Sequence, residues 1–181
     1  MNKFKIIIVF SILTALMSFK SINEWYQYDS SEFKVLFPKM PNSTIKKINT
    51  EAGELQMQVN MYDASKDETD ENLIYSVTSS EYPKTHIESH IKHDSLNTFF
   101  RNSIEGMVNN VKGKLISESK INLGNFQGRE FKIDFRDGLA IIKTRMYLVE
   151  NKVYFLQTIT KTDKEKNKLI EKFMNSFTIK K

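Results

Sequence analysis

Between Leu123 and Thr160 the chain carries three runs of alternating character separated by two short polar corners, the pattern of three consecutive antiparallel strands. The first corner, Arg136-Asp137-Gly138-Leu139, predicts a two-residue loop with both central residues at positive φ. That loop sets Phe135 opposite Ala140, Ile133 opposite Ile142 and Phe131 opposite Thr144 on one face, and Glu130 opposite Arg145 on the other. A slip of one residue would set Phe131 against Lys143 and Arg129 against Arg145, mixing core with charge, so the Asp-Gly register is the one expected. The second corner, Glu150-Asn151-Lys152-Val153, predicts Leu148 beside Phe155 on the first face and Tyr147 beside Leu156 on the second. The strand from Leu139 to Val149 is then apolar on both sides over much of its length, which suits a central strand covered above and below.

The flanking sequence supplies neighbours for that meander. Trp25 to Tyr28 and Phe33 to Phe37 read as two short strands closed by Pro38 and Pro41. Thr44 to Thr50 and Leu55 to Asp63 read as a hairpin, with Leu55, Met57, Val59 and Met61 on one face, and Leu73 to Ser79 as another strand. From Asp94 to Val111 the period becomes helical, with Asp94 or Ser95 as N-cap and Gly113 beyond the end. Lys114 to Asn122 alternates again. Thr162-Asp163-Lys164-Glu165 reads as a capping box opening a second amphipathic helix that runs to about Ser176.

Composition bounds the class. The 181 residues, 40% hydrophobic and 27% charged, have the balance of one globular domain, large enough to bury its own core. Cysteine is absent, which excludes disulfides and thiol nucleophiles. The N-terminus combines basic Met1-Asn2-Lys3-Phe4-Lys5 with an apolar run from Ile6 to Phe19, so residues 1–21 read as a signal peptide and residues 22–181 as a single exported domain, periplasmic or secreted. That run is shorter than the ~20 residues of a membrane span, so no stable transmembrane segment is expected unless it stays uncleaved. Removing Lys3, Lys5 and Lys20 lowers the formal charge from +5 to +2, and nothing then points to a nucleic-acid partner.

Phe33-Lys34-Val35-Leu36-Phe37-Pro38 with Pro41, Gly124-Asn125-Phe126-Gln127-Gly128-Arg129-Glu130-Phe131, Arg145-Met146-Tyr147-Leu148-Val149 with Asn151 to Leu156, and Phe173-Met174-Asn175-Ser176-Phe177 together resemble the PsbP-like domain family. That family includes the extrinsic protein of photosystem II and many small exported bacterial proteins of unknown role. The resemblance spans Trp25 to Ile179 and implies an α+β fold, a central antiparallel sheet with helices on both faces, an α/β/α sandwich. It implies no catalytic residues and no cofactor.

Two constellations carry chemistry. Glu130, Lys143 and Arg145 converge on one face of the meander, with Thr158 and Thr160 expected across from the two cations, and would either orient an anionic ligand or pair as a cross-strand salt bridge. His86, His90 and His93 fall at helical spacings of four and three, so His86 and His90 would share a metal if Thr85 to His93 is helical. His93 would not reach, since residues seven apart lie about 10 Å apart along a helix. In the acidic stretch Ala64 to Asn72, Asp63, Ser65 and Asp67 begin the series of a calcium loop, but Glu68 stands where glycine belongs. The aromatics fall mainly at core spacing. The expectation is a monomeric, non-enzymatic binding or accessory protein acting on an envelope protein or small ligand, with a metal-binding protein using His86 and His90 as the alternative and an enzyme acting on a small anion near Arg145 as the third.

Overall fold

A computed structural model describes residues 24–50, 52–92 and 96–180, so the expected signal peptide lies outside the described residues. The chain runs β1 (Tyr26–Asp29), β2 (Phe33–Phe37), β3 (Asn42–Thr50), β4 (Gly53–Asp63), β5 (Asn72–Glu81), α1 (Lys84–Lys92), α2 (Leu96–Val111), β6 (Lys114–Leu123), β7 (Phe126–Phe135), β8 (Ala140–Val149), β9 (Lys152–Lys161), a 3-10 turn (Thr162–Lys164), α3 (Lys168–Asn175) and β10 (Thr178–Ile179). Seven strands form one antiparallel sheet in the order β3-β4-β5-β9-β8-β7-β6, and β1-β2-β10 form a second, small one. β3 and β6 are the outer strands; Ile45 on β3 is 70% exposed, and the β6–β7 ladder is irregular between Leu115 and Ser117.

The first expected register forms: Phe135 pairs with Ala140, Ile133 with Ile142, Phe131 with Thr144 and Glu130 with Arg145. Its corner is different. Arg136, Asp137 and Gly138 all take positive φ (54°, 51° and 92°), and the Leu139 amide donates to the Phe135 carbonyl at 3.2 Å, a four-residue loop sharing its centre with the expected two-residue one. The Asp134 carboxylate holds it by accepting from the Gly138 amide at 2.6 Å. The second corner closes one residue earlier than expected on each side, with Val149 opposite Lys152 and Glu150 at φ 56°. Leu148 therefore lies beside Val153 and Tyr147 beside Tyr154, while Lys143 faces Thr158, Arg145 faces Leu156 and Thr160 faces Ile141. The displacement is two residues in pairing, so every side chain keeps its expected face.

The strand β8 is covered on both sides, but the expected α/β/α sandwich is not the architecture. The protein is mostly β. On one face α1 and α2 supply Ile87, Phe99, Phe100 and Ile104 against Phe131, Ile133, Ile142, Met146, Leu148 and Val153. On the other the cover is mixed: β2 buries Phe33, Val35 and Phe37 together with Ile170, Phe173 and Met174 of the short α3, against Tyr75, Val77, Tyr147, Tyr154 and Leu156. The physical reason lies in β2, whose alternate side chains are wholly buried and whose ring Phe37 meets Phe173 with centroids 5.3 Å apart. A strand pair presents its aromatic row to that face, leaving room for only two turns of helix.

α3 also begins later than its sequence suggests. Thr162–Lys164 forms only a 3-10 turn, and the cap is Asn167, whose side chain accepts from the Leu169 and Ile170 amides at 3.0 and 3.1 Å. An Asn side chain satisfying two otherwise orphaned amides outcompetes the Thr-Glu box. Among the described residues no helix is long and apolar enough to cross a membrane.

Candidate functional site

Glu130, Lys143 and Arg145 do meet. Arg145 donates from Nε to Glu130 at 2.6 Å, and Lys143 Nζ lies 3.5 Å from the other Glu130 oxygen. α3 then lands on the pair. Its Glu171 accepts from Lys143 at 2.6 Å and from Arg145 at 3.2 Å, and Asn175 accepts from Arg145 at 2.7 Å. Burial pulls the Arg145 guanidinium down, but the Glu130 bond and charge outweigh it and hold its pKa above the ordinary value. The bond from Lys143 holds the Glu171 carboxyl below the usual carboxylate range. Two cations and two carboxylates thus form a balanced network that fastens α3 to β7 and β8.

Of the histidines, His86 sits on α1, its ring stacked on Tyr82 at 5.8 Å and edge-on to Phe99 at 6.5 Å. His90 belongs to the same helix, and His93 lies outside the described residues, as do the proposed caps Asp94 and Ser95. Among the described residues no three His, Asp or Glu side chains are grouped to hold a metal. In the acidic loop the carboxylates serve the loop itself: Asp63 accepts from the Ser65 amide, and Asp67 accepts from Thr69 and Lys39.

A cleft of about 820 Å³ opens where the two sheets meet, at the end of the large sheet that carries the β6–β7 and β8–β9 turns. Leu123, Phe126, Val149 and Ile179 form its apolar wall. Across from them Lys152 donates to Glu32 at 2.5 Å and lies 3.5 Å from Glu81, while the Tyr154 hydroxyl donates to the same Glu32 at 3.1 Å. Burial raises the Tyr154 phenol far above its ordinary value, so it remains a donor at any ordinary pH. Burial also draws Lys152 down, but its bond to Glu32 and the charges of Glu32 and Glu81 prevail and its pKa ends raised. Lys152 is therefore a fixed cation. The volume is that of a small-ligand site, with one apolar side and few convergent polar groups.

No local spacing marks this cleft. Glu32 is 120 residues from Lys152, and the two meet only because β2 lies over β9. The nearest signal is the second corner itself, where Lys152 begins β9 beside Asn151, whose amide nitrogen donates to the Tyr82 carbonyl at 2.7 Å.

No protein-family model matches the chain, and no curated protein matches its sequence. Among solved structures it is similar to the solution structure of cyanobacterial PsbP (CyanoP) from Synechocystis sp. PCC 6803, with a TM-score of 0.55, 13% identity, and coverage of 90% of this chain and 96% of that one. A protein of unknown function from Pseudomonas aeruginosa aligns with a TM-score of 0.33 and 13% identity over 78% of this chain and 85% of that one, too low to carry an argument. At that identity the first likeness concerns architecture alone: the chain has a PsbP-like fold.

Proposed function

We propose that this chain is an exported, non-enzymatic binding or accessory protein that takes its ligand in the cleft between the two sheets. The observation carrying this reading is the pairing of an apolar wall with a polar set rich in carboxylates: Glu32, Glu81 and Glu150 against Lys152 and Lys180, the latter drawn to Asp29. Such a surface suits an apolar body bearing an ammonium or guanidinium, from a small molecule or from a side chain of an envelope protein. Chemistry at the same place is disfavoured by charge, since a lysine nucleophile or base needs a depressed pKa and that of Lys152 moves the other way.

The test is a titration of the isotopically labelled protein with phenethylamine and arginine methyl ester, read by amide shifts. Saturable changes confined to Glu32, Asn125, Asn151 and Lys152, and weakened by Phe126→Ala and Glu81→Gln, are expected. Equal response to benzoate, or turnover of the ester lost in Lys152→Ala, overturns the reading. Export is tested separately by joining residues 1–21 to alkaline phosphatase, which is active only after crossing the inner membrane; an inactive fusion removes that half of the proposal.

A further inference from the structure

A second polar groove, of about 750 Å³, lies on the helix-covered face between α2 and the outer strand β6. Its floor is Arg129 on β7, paired in register with Lys120 on β6. The Arg129 side chain is 4% exposed, and its guanidinium lies over the Phe100 ring, 4.4 Å from its centre. It donates to the Gly128 carbonyl at 2.7 Å and to Asn97 Oδ1 at 2.6 Å. Its Nε is 3.4 Å from one oxygen of Glu118, and the other oxygen of Glu118 is 3.4 Å from Arg101 on α2.

That geometry differs from the network under α3. There two cations meet two carboxylates, with contacts as short as 2.6 Å. Here Arg101, Lys120 and Arg129 face the single carboxylate of Glu118, which lies between two guanidiniums and reaches neither at the 2.7–2.9 Å of a charge-assisted bond. Lys120 is exposed and has no ion pair among the described residues. Burial holds the Arg129 pKa below its ordinary value; the Glu118 charge pushes it back up, opposed in turn by the smaller effect of Arg101, and the burial is not fully offset. A buried cation lacking a matched anion is costly, and a multi-oxygen anion in the groove relieves it.

We propose that this groove binds a phosphate or sulfate group, with the exposed Arg101 and Lys120 as its direct donors, the buried Arg129 beneath them as the cation whose charge it compensates, and Glu118 as the carboxylate the ligand competes with. This site is independent of the cleft between the sheets. The ligand group belongs either to a free molecule or to an anionic lipid headgroup, and both present the same oxygens.

The experiment titrates the whole protein with inorganic phosphate and phenyl phosphate, following the Thr98 and Ser119 amides and the Arg129 side-chain NH, in parallel with co-sedimentation on phosphatidylglycerol and phosphatidylcholine vesicles. Saturable binding of phenyl phosphate is expected, weakened at least tenfold by Arg101→Ala with Lys120→Ala, two changes at solvent-facing side chains. Glu118→Gln is expected to tighten it several-fold, because it removes the competing charge; a carboxylate with only a structural role gives no such gain. Sedimentation with phosphatidylglycerol alone, lost in the double variant, assigns the group to a lipid; soluble binding without sedimentation assigns it to a free ligand. Absence of saturation in both arms, unchanged affinity in the double variant, or weaker binding in a Glu118→Gln protein of unchanged thermal stability overturns the proposal.

Discussion

Replacing Asn72 by alanine tests how the large sheet is tied to α3. Asn72 is 1% exposed, and its Oδ1 accepts from the Thr160 hydroxyl at 2.5 Å and from Asn167 at 3.0 Å. Its Nδ2 donates to the Tyr75 hydroxyl at 2.6 Å, which in turn donates to Asp70 at 2.8 Å. Asn167 is the residue capping α3, so one amide links the bulged start of β5, the end of β9 and the first turn of that helix. Alanine strands the Thr160 hydroxyl, itself 1% exposed, and leaves the Asn167 amide without its reciprocal partner. A stranded buried hydroxyl costs about 1–3 kcal/mol and the lost cap support adds about 1 kcal/mol, so the expected loss is roughly 3 kcal/mol. For a chain of this size that lowers Tm by roughly 6–12 °C. Urea unfolding followed by the fluorescence of Trp25, the one tryptophan, reports it directly, because Trp25 packs edge-on against Tyr75 at 5.7 Å. Adding Thr160→Val to Asn72→Ala is expected to restore about 1 kcal/mol, since the orphaned hydroxyl is then gone. A loss below about 0.5 kcal/mol in the single variant, or an equal cost of Thr160→Val in both backgrounds, refutes the reasoning.

Three further outcomes follow from the packing. Gly128→Ala places a Cβ 2.4 Å from the Met146 carbonyl oxygen and 2.6 Å from the Tyr147 ring, so β7 must move from β8; a loss near the upper end of the usual ~1–3 kcal/mol for overpacking is expected in denaturant titrations. Phe173→Ala removes a fully buried ring touching Phe37 and Tyr75, and is expected to cost about 3–5 kcal/mol, measured by calorimetry; a loss under about 1 kcal/mol would show that α3 does not seal the second face. The Asp67 carboxyl is lowered from 3.8 to about 2, chiefly by the Thr69 hydroxyl and then by Lys39. Its folded pKa lies below the unfolded value, so what it adds to stability is present above pH about 4 and is lost as pH falls toward 2; an NMR titration midpoint near 3.8 would contradict the loop geometry.

Faces were legible in the sequence, and joints between distant segments were not. Alternation fixed which side of β7, β8 and β9 each residue takes, and the centre of the Asp-Gly corner sufficed to align Glu130 with Arg145 even though three residues there, not two, take positive φ. The sequence places the second corner one residue too late because Asn151 is the residue type that tolerates positive φ, whereas Glu150 takes that conformation. The mixed cover of the second face is not legible for a related reason: Phe33, Val35 and Phe37 announce a strand with one buried face, but their spacing does not say that this face replaces a helix layer. Of the site, the Glu130, Lys143 and Arg145 convergence was readable from register, while Glu171 and Asn175 arrive with α3 from 26 to 30 positions beyond Arg145. Glu32 reaches Lys152, and Arg101 reaches Glu118, through tertiary packing that leaves no trace in local spacing.

The borders of the seven-strand sheet have a consequence for how copies of this chain behave together. Bare ladder edges recruit one another, and β3 is nine residues of such edge with Ile45 outward; the exposed Lys46 on β3 and Lys120 on β6, and the ladder irregularity between Leu115 and Ser117, are features that oppose such pairing. Because those borders are different strands, joining one to the other is a head-to-tail contact that does not close on itself. Neutralising those lysines by acetylation is therefore expected to favour that open, repeating contact.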